Sequence, residues 1–254
     1  MLENFPGDES RKDAKAQRLS ALPPPVLCVF ASLRENFRPV FFRVKIQLGG
    51  HALHLLAESA AFDPAMRTLF IADLHLGKTT VFREAGLPLP DGPDATILAR
   101  LTALIARAEA ETLVILGDVF HARASGIERA LGAWCAERPG LRVRILPGNH
   151  DRRIPWREWL PGAEILDEGA CAGAFRLTHF PPEEAGAITL CGHLHPGIAI
   201  GKSRGRRLRV PCFWLRRGAL VLPAFGEFTG LGMIEREAND RVWIGGAGKI
   251  VELG

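Results

Sequence analysis

Seven side chains able to ligate hard or borderline metal ions stand in short polar clusters along the chain: Asp73 and His75, Asp118, Asn149, His179, and His193 with His195. All offer oxygen or nitrogen, and no thiolate is among them. A single ion needs about four protein ligands. Seven point to two ions with one carboxylate shared. Two cations about 3.5–4 Å apart can activate a water between them and clamp the oxygens of a phosphoryl group. Water at such a centre ionises near neutral pH, so no Ser or Cys nucleophile is required.

Each cluster ends a short apolar run. Leu69 to Ala72 leads into Asp73-Leu74-His75, Leu113 to Leu116 into Gly117-Asp118, and Val143 to Leu146 into Gly148-Asn149-His150-Asp151. Phe175 to Leu177 leads into Thr178-His179, and Ile188 to Cys191 into Gly192-His193-Leu194-His195. Runs of this length bounded by turn residues read as buried strands. Between them, Ile97, Leu98, Leu101, Leu104, Ile105 and Ala108 keep a helical period, with Asp94 as a cap, and a second helix is expected over 127–137. Strand, helix, strand, helix, strand makes an α/β fold with parallel crossovers, in which ligands bind beyond the carboxyl ends of the strands. Val44 to Leu48 and Ala52 to Leu56 flank Gly49-Gly50 as a hairpin, and His51 and His54 on it are expected to face solvent. Arg241 to Ile244 and Lys249 to Leu253 form another hairpin. Residues 1–43, with mixed charge, a triple proline and no sustained period, read as a disordered extension before a single domain over 44–254.

D-x-H, G-D, G-N-H-D, a lone His and G-H-x-H, in this order, resemble the motifs of the calcineurin-like metallophosphoesterases. The resemblance implies a four-layer α/β/β/α sandwich around the central β-α-β-α-β unit. It implies two divalent ions, Mn²⁺ being the expected one and Fe or Zn the alternatives. Asp73, His75 and His195 would hold the first, Asn149, His179 and His193 the second, and Asp118 would bridge them. His150 would protonate the leaving group, its ring oriented by Asp151. Thr178 departs from the pattern, since many relatives carry Gly there. Over 44–254 the chain looks more narrowly like the bacterial ligase-associated DNA damage response endonucleases, the PdeM branch. The residues that carry this are Asp73 to Lys78, Phe82-Arg83, Gly86-Leu87-Pro88, Gly117 to His121, Leu208 to Trp214 and Leu222 to Gly230. That likeness implies a phosphodiesterase or nuclease acting on DNA, with a role in repair and an association with a DNA ligase and a helicase.

Other residues fit substrate contact or an ordinary role equally. Lys78 and Arg83 suit phosphate oxygens or a solvated loop, and His121 suits a phosphate contact, support of a ligand, or a loop position. The stretch Lys202 to Arg217 holds seven basic residues and no acidic one, and the rest of the chain carries 25 basic against 28 acidic residues, so the positive charge is local. Arg206 and Arg207 there suit a polyanion, against the reading of a solvated hairpin. Trp134, Trp156 and Trp159 are expected to pack, and Cys191 and Cys212 to be buried. Five cysteines without a C-x-x-C pair and the lack of a long apolar run suggest a cytoplasmic protein without a disulfide framework or membrane span. The same motifs serve phosphomonoesterases, cyclic-nucleotide phosphodiesterases and nucleotide pyrophosphatases, and a non-catalytic scaffold is the reading furthest from the filled ligand set. They leave the oligomeric state open.

Overall fold

Gly49 and Gly50 adopt φ of 58° and 84°, the left-handed pair that a two-residue hairpin turn needs. They join β1 (Arg43–Leu48) to β2 (His51–Leu56), with Leu48 opposite His51. The computed structural model describes residues 43–79, 86, 92–121, 126–184, 186–203, 206–246 and 248–254, with the backbone alone at 202, 203 and 206. Residues 1–42 of the expected extension, and Arg83, fall outside them. His51 is exposed as expected, but His54 is buried against Phe62. Three residues apart on a strand, the two must point to opposite faces.

Antiparallel pairing continues through β3 (Ala60–Asp63) to β4 (Thr68–Ala72). The chain then crosses over twice, through α1 (Pro93–Ala108) to β5 (Thr112–Leu116) and through α2 (Ile127–Ala136) to β6 (Arg142–Leu146). The helix cap differs from expectation. Gly92 caps α1 with Pro93 as its first residue, while the Asp94 carboxylate accepts the Gly77 N–H at 3.0 Å and ties the helix to the loop after His75. β4, β5 and β6 are parallel and level: Ala72 lies beside Leu116, and Leu116 beside Leu146. Asp73, Asp118 and Asn149 therefore leave one edge of the sheet within a residue or two of each other.

α3 (Trp156–Trp159) and β7 (Glu164–Ile165) follow, and β7 completes a seven-stranded sheet. Along β4 to β6, alternate residues face opposite layers. Leu69, Ile71, Leu113, Ile115, Val143 and Ile145 pack under α1 and α2, whose Leu101, Leu104, Leu131 and Trp134 close that core. Trp156 and Trp159 join it against Phe120, as expected. Phe70, Val114, Leu116 and Leu146 face the second sheet and its Phe175, Leu190, Phe213 and Trp243. Burial of this many large side chains, at roughly 1.5–3 kcal/mol each, fixes the strands in register.

The second sheet has nine strands: β8 (Cys171–Ala172), β9 (Phe175–Leu177), β10 (Thr189–Cys191), β11 (Pro196–Ser203), β12 (Arg206–Arg216), β13 (Ala219–Val221), β14 (Gly232–Met233), β15 (Arg241–Gly246) and β16 (Lys249–Leu253). β9, β10 and β13 run parallel, so His179 and His193 follow neighbouring strand ends. Two packed sheets around the central β-α-β-α-β unit make the expected α/β sandwich, with a helix layer on the first sheet and, among the described residues, none on the second. On the outer face of the second sheet, Cys191, Cys212, Trp214, Val221 and Val242 are buried with Ile234 packed against them, and Trp214 donates to Asp240 at 2.8 Å. The three described helices all pack on the first sheet.

Candidate metal centre

Five of the seven expected ligands have left-handed backbone: Asp73 (φ 53°), His75 (46°), Asp118 (42°), His193 (67°) and His195 (44°). Each costs about 1–2 kcal/mol against right-handed geometry, least for Asp, Asn and His. Backbone strain of this kind gathers at functional sites. Here it turns the chain sharply at each strand end, so that side chains from distant segments converge.

They converge as two groups. In the first, His75 Nε2 is 3.2 Å from His195 Nε2, and His195 Nε2 is 3.7 Å from Asp73 Oδ2. In the second, His179 Nε2 is 3.1 Å from His193 Nδ1 and 2.9 Å from Asn149 Oδ1. Asp118 Oδ2 lies between them, 3.8 Å from His75 Nε2 and 3.6 Å from His179 Nε2. Backbone groups set the orientations. Asp73 Oδ2 accepts the His193 N–H at 2.8 Å, Asp118 Oδ1 accepts the His150 N–H at 3.0 Å, and His195 donates Nδ1–H to the Thr229 carbonyl at 3.2 Å. That last bond leaves the His195 Nε2 lone pair facing the group.

The donor set suits cations. Burial, with His195 and Lys78 nearby, pushes the His75 pKa down to about 2, and burial takes His179 to about 4. His193 and His195 are lowered by the same cause. Neutral imidazoles present lone pairs, not charge. Burial and the neighbouring Asp118 raise Asp73 well above the carboxylate range. Asp73 Oδ1 and the Nδ1 atoms of His75 and His179 are buried without hydrogen-bond partners. A neutral imidazole keeps one N–H, so some of these close contacts are hydrogen bonds, but the remaining nitrogen and oxygen lone pairs still converge on common points, an arrangement that a bound cation relieves.

The family model of the calcineurin-like phosphoesterases matches residues 66–202, which hold every ligand named above. The chain belongs to the calcineurin-like phosphoesterase family. As a member it is a metal-dependent hydrolase of phosphoesters with a binuclear centre. No curated protein matches the sequence. A solved structure, the Pseudomonas putida nuclease MPE, is similar at 35% identity with a TM-score of 0.70, over 83% of this chain and 100% of that one.

Within this phosphoesterase the motif glycines have a packing reason. A Cβ on Gly117 would stand 1.8 Å from His179 Nδ1, one on Gly148 would stand 2.2 Å from Asp118 Oδ1, and one on Gly192 would stand 2.7 Å from Asp73 Oδ2. Each glycine leaves room for a ligand from a different motif.

Two assignments change at the Asn149 loop. Asp151 does not meet the His150 ring. It is buried, and it accepts the N–H groups of Gly148 and Val119 at 3.0 Å and of Phe120 at 3.2 Å. Burial raises its pKa to about 6 in spite of these bonds. The partner of the ring is the His121 carbonyl, which accepts from His150 Nδ1 at 3.0 Å. The reason is backbone geometry: adjacent residues on a tight turn point apart, and Asp151 points inward to tie two ligand-bearing loops together.

A second support comes from α1. Arg100 donates to the Phe225 carbonyl, lies 4.3 Å over the Phe225 ring and is 3.4 Å from Glu227. The segment it holds is bound to the first group: Phe225 N–H to Ala72 O (2.8 Å), Gly226 N–H to Asp73 O (3.0 Å), and Thr229 O to His195. Arg100→Met is therefore expected to weaken binding of the first ion by roughly tenfold, as loss of a partner behind a ligand does, with the second ion affected less. Mn²⁺ titration calorimetry reads this, and wild-type affinity for both ions would remove the role.

Of the substrate-contact candidates, Lys78 and His121 come to the centre. His121 stacks on His150 with centroids 5.3 Å apart and lies 5.6 Å from His75, and burial lowers the pKa of both Lys78 and His121. Arg207 does not come to the centre. β11 leaves at Pro196, and its register puts Arg206 opposite Ser203 at the far end of the hairpin, roughly 20 Å along the strand from His195. Two residues that sequence reasoning passed over do border the centre, namely Arg152 and Phe180, which line a cavity with Asn149 and His179. Their signal was adjacency: Arg152 follows the G-N-H-D motif and Phe180 follows His179.

Proposed function

We propose that this phosphoesterase is a nuclease that hydrolyses phosphodiester bonds of DNA, at a centre where Asp73, His75 and His195 hold one ion, Asn149, His179 and His193 another, and Asp118 serves both. The observation that carries the reading is the meeting of two nitrogen-and-oxygen ligand groups on Asp118 Oδ2. The similarity to a nuclease across the whole of that protein's chain supports the choice of substrate. Two divalent ions held there would neutralise phosphoryl oxygens and lower the pKa of water. The donor set, four imidazoles with carboxylate and amide oxygens and no thiolate, admits Mn²⁺, Fe or Zn, and Mn²⁺ is the ion we propose.

The protein's own groups do the rest. The His121 carbonyl accepts the His150 Nδ1–H and so orients the ring, and the imidazolium form of His150 would give its Nε2 proton to the leaving oxygen and return to the neutral ring. Asp151 is a positioning residue, holding the Asp118 and Asn149 loops together. Lys78 and Arg83 contact phosphate oxygens, and Arg206 and Arg207 serve nucleic acid long enough to reach about 20 Å from the centre. A role in DNA repair beside a ligase and a helicase fits this activity. A reducing cytoplasm fits the free thiols of Cys135, Cys171, Cys191 and Cys212. Among the described residues no helix is long and apolar enough to cross a membrane.

The test is a substrate panel with Mn²⁺: single-stranded DNA, bis(p-nitrophenyl) phosphate, p-nitrophenyl phosphate and free nucleotides. Cleavage of DNA and of the diester reporter is expected. Hydrolysis of nucleotides or monoesters without any DNA cleavage would reject the nuclease. In the same assay His150→Ala should lower turnover by about 10²–10⁴-fold while calorimetry still counts two ions. Unchanged turnover would remove His150 as the acid.

A further inference from the structure

The cavity beside the second ligand group measures about 310 Å³ and is bordered by Asn149, Arg152, Glu168, His179 and Phe180. Its most unusual wall is Phe180, a large apolar side chain left 46% exposed although it adjoins a buried ligand. Its ring centroid lies 4.2 Å from the His193 ring and 4.8 Å from the His179 ring. An exposed phenylalanine in contact with two ligand imidazoles is an aromatic surface at the edge of the reaction centre.

The surface is held in place. The Glu168 carboxylate accepts the His179 N–H at 3.0 and 3.2 Å and also the Phe180 N–H. Thr178 donates its hydroxyl to the Phe180 carbonyl at 2.7 Å. Thr178 is the position where the motif departs from glycine, and its hydroxyl helps fix the Phe180 peptide. Because Glu168 is engaged by backbone N–H groups, its charge is partly offset where it borders the cavity.

Arg152 supplies the opposite charge. It is exposed, it borders the same cavity, and among the described residues no carboxylate pairs with it. An unpaired guanidinium next to a phosphodiester centre fits a second phosphate, and an adjacent aromatic ring fits a base.

We propose that this cavity is a nucleotide subsite in which the base next to the scissile phosphodiester stacks on Phe180 and the following backbone phosphate is held by Arg152. The proposal rests on the nuclease reading and adds where the nucleotide next to the scissile phosphodiester lies: along the side of the second ligand group.

The experiment compares kcat/KM for a single-stranded oligodeoxynucleotide with kcat/KM for bis(p-nitrophenyl) phosphate, which carries neither a base nor a second phosphate. Both are measured with the Mn²⁺ enzyme and its variants. Phe180→Ala should lower the ratio of the two roughly tenfold, the usual scale for loss of one stacked base, and Phe180→Trp should keep it within about threefold of wild type. Arg152→Gln should lower the ratio about fivefold and make the salt dependence of KM for the oligonucleotide shallower by nearly one counterion. Wild-type ratios in both Phe180→Ala and Arg152→Gln, with the oligonucleotide still cut, would overturn the subsite and leave the nuclease standing. A wild-type enzyme that hydrolyses the reporter but cuts no oligonucleotide would overturn both.

Discussion

Asp118→Asn is expected to lower turnover by at least about 10³-fold and to reduce the bound divalent ions from two to one or none. The carboxylate's Oδ2 lies within 4 Å of an imidazole Nε2 of each ligand group, His75 at 3.8 Å and His179 at 3.6 Å. An amide in its place keeps the size but loses the negative charge that two neighbouring cations share. It also turns either an N–H toward the imidazole lone pairs or its oxygen toward only one ion. Asn is the informative substitution because residue 118 has φ 42°, where Asn is among the side chains best tolerated. Ala would add backbone strain to the loss of charge. Elemental analysis of the dialysed protein with a diester assay reads the result. Two tightly bound ions with full turnover in Asp118→Asn would end the shared-carboxylate reading.

Gly117→Ala should lower both stability and turnover, although it removes no ligand. Its Cβ would stand 1.8 Å from His179 Nδ1 at a φ of 79°, so the imidazole and the backbone must both move. His179 is buried and cannot swing into solvent. A strained left-handed alanine plus this displacement is worth on the order of 2–3 kcal/mol, which for a domain of this size lowers Tm by roughly 4–12 °C. Turnover should fall at least about a hundredfold, since a ligand moved by an ångström no longer shares its ion. Gly162→Ala is the control, for its Cβ meets nothing within 4 Å. Thermal melts and Mn²⁺ titration read both. A Gly117→Ala protein with wild-type Tm and metal affinity would contradict the contact.

The strand ends were legible in the sequence because local chemistry announces them. Short runs of three or four mostly apolar residues meet Asp, Asn or His, and the helical period between the first two is unbroken. Contacts between segments far apart in sequence were not legible. Asp151 next to His150 suggests a pair, yet a tight turn points them apart and brings the His121 carbonyl to the ring. His51 and His54 look alike in composition, but His51 stands at the exposed start of β2 and His54 within its buried run. Arg206 and Arg207 stood out by charge density, but charge density says nothing about strand direction, and β11 carries them away from the centre. Arg152 and Phe180 have no compositional signal at all. They matter because β6 and β9 deliver the loops that carry them to neighbouring places.

The glycine contacts bear on how such a centre can change over time. Gly117 makes room for the histidine of the fourth motif, Gly148 for the aspartate of the second, and Gly192 for the aspartate of the first. The motifs are separate words in the sequence but interlocking teeth in space. A loop grafted from another phosphoesterase brings its own glycine and its own ligand, and each must fit a tooth on a loop that was not exchanged. Inheritance would therefore treat residues 73–195 as one unit, and recombination within that span would succeed only where it carries both members of a contact together.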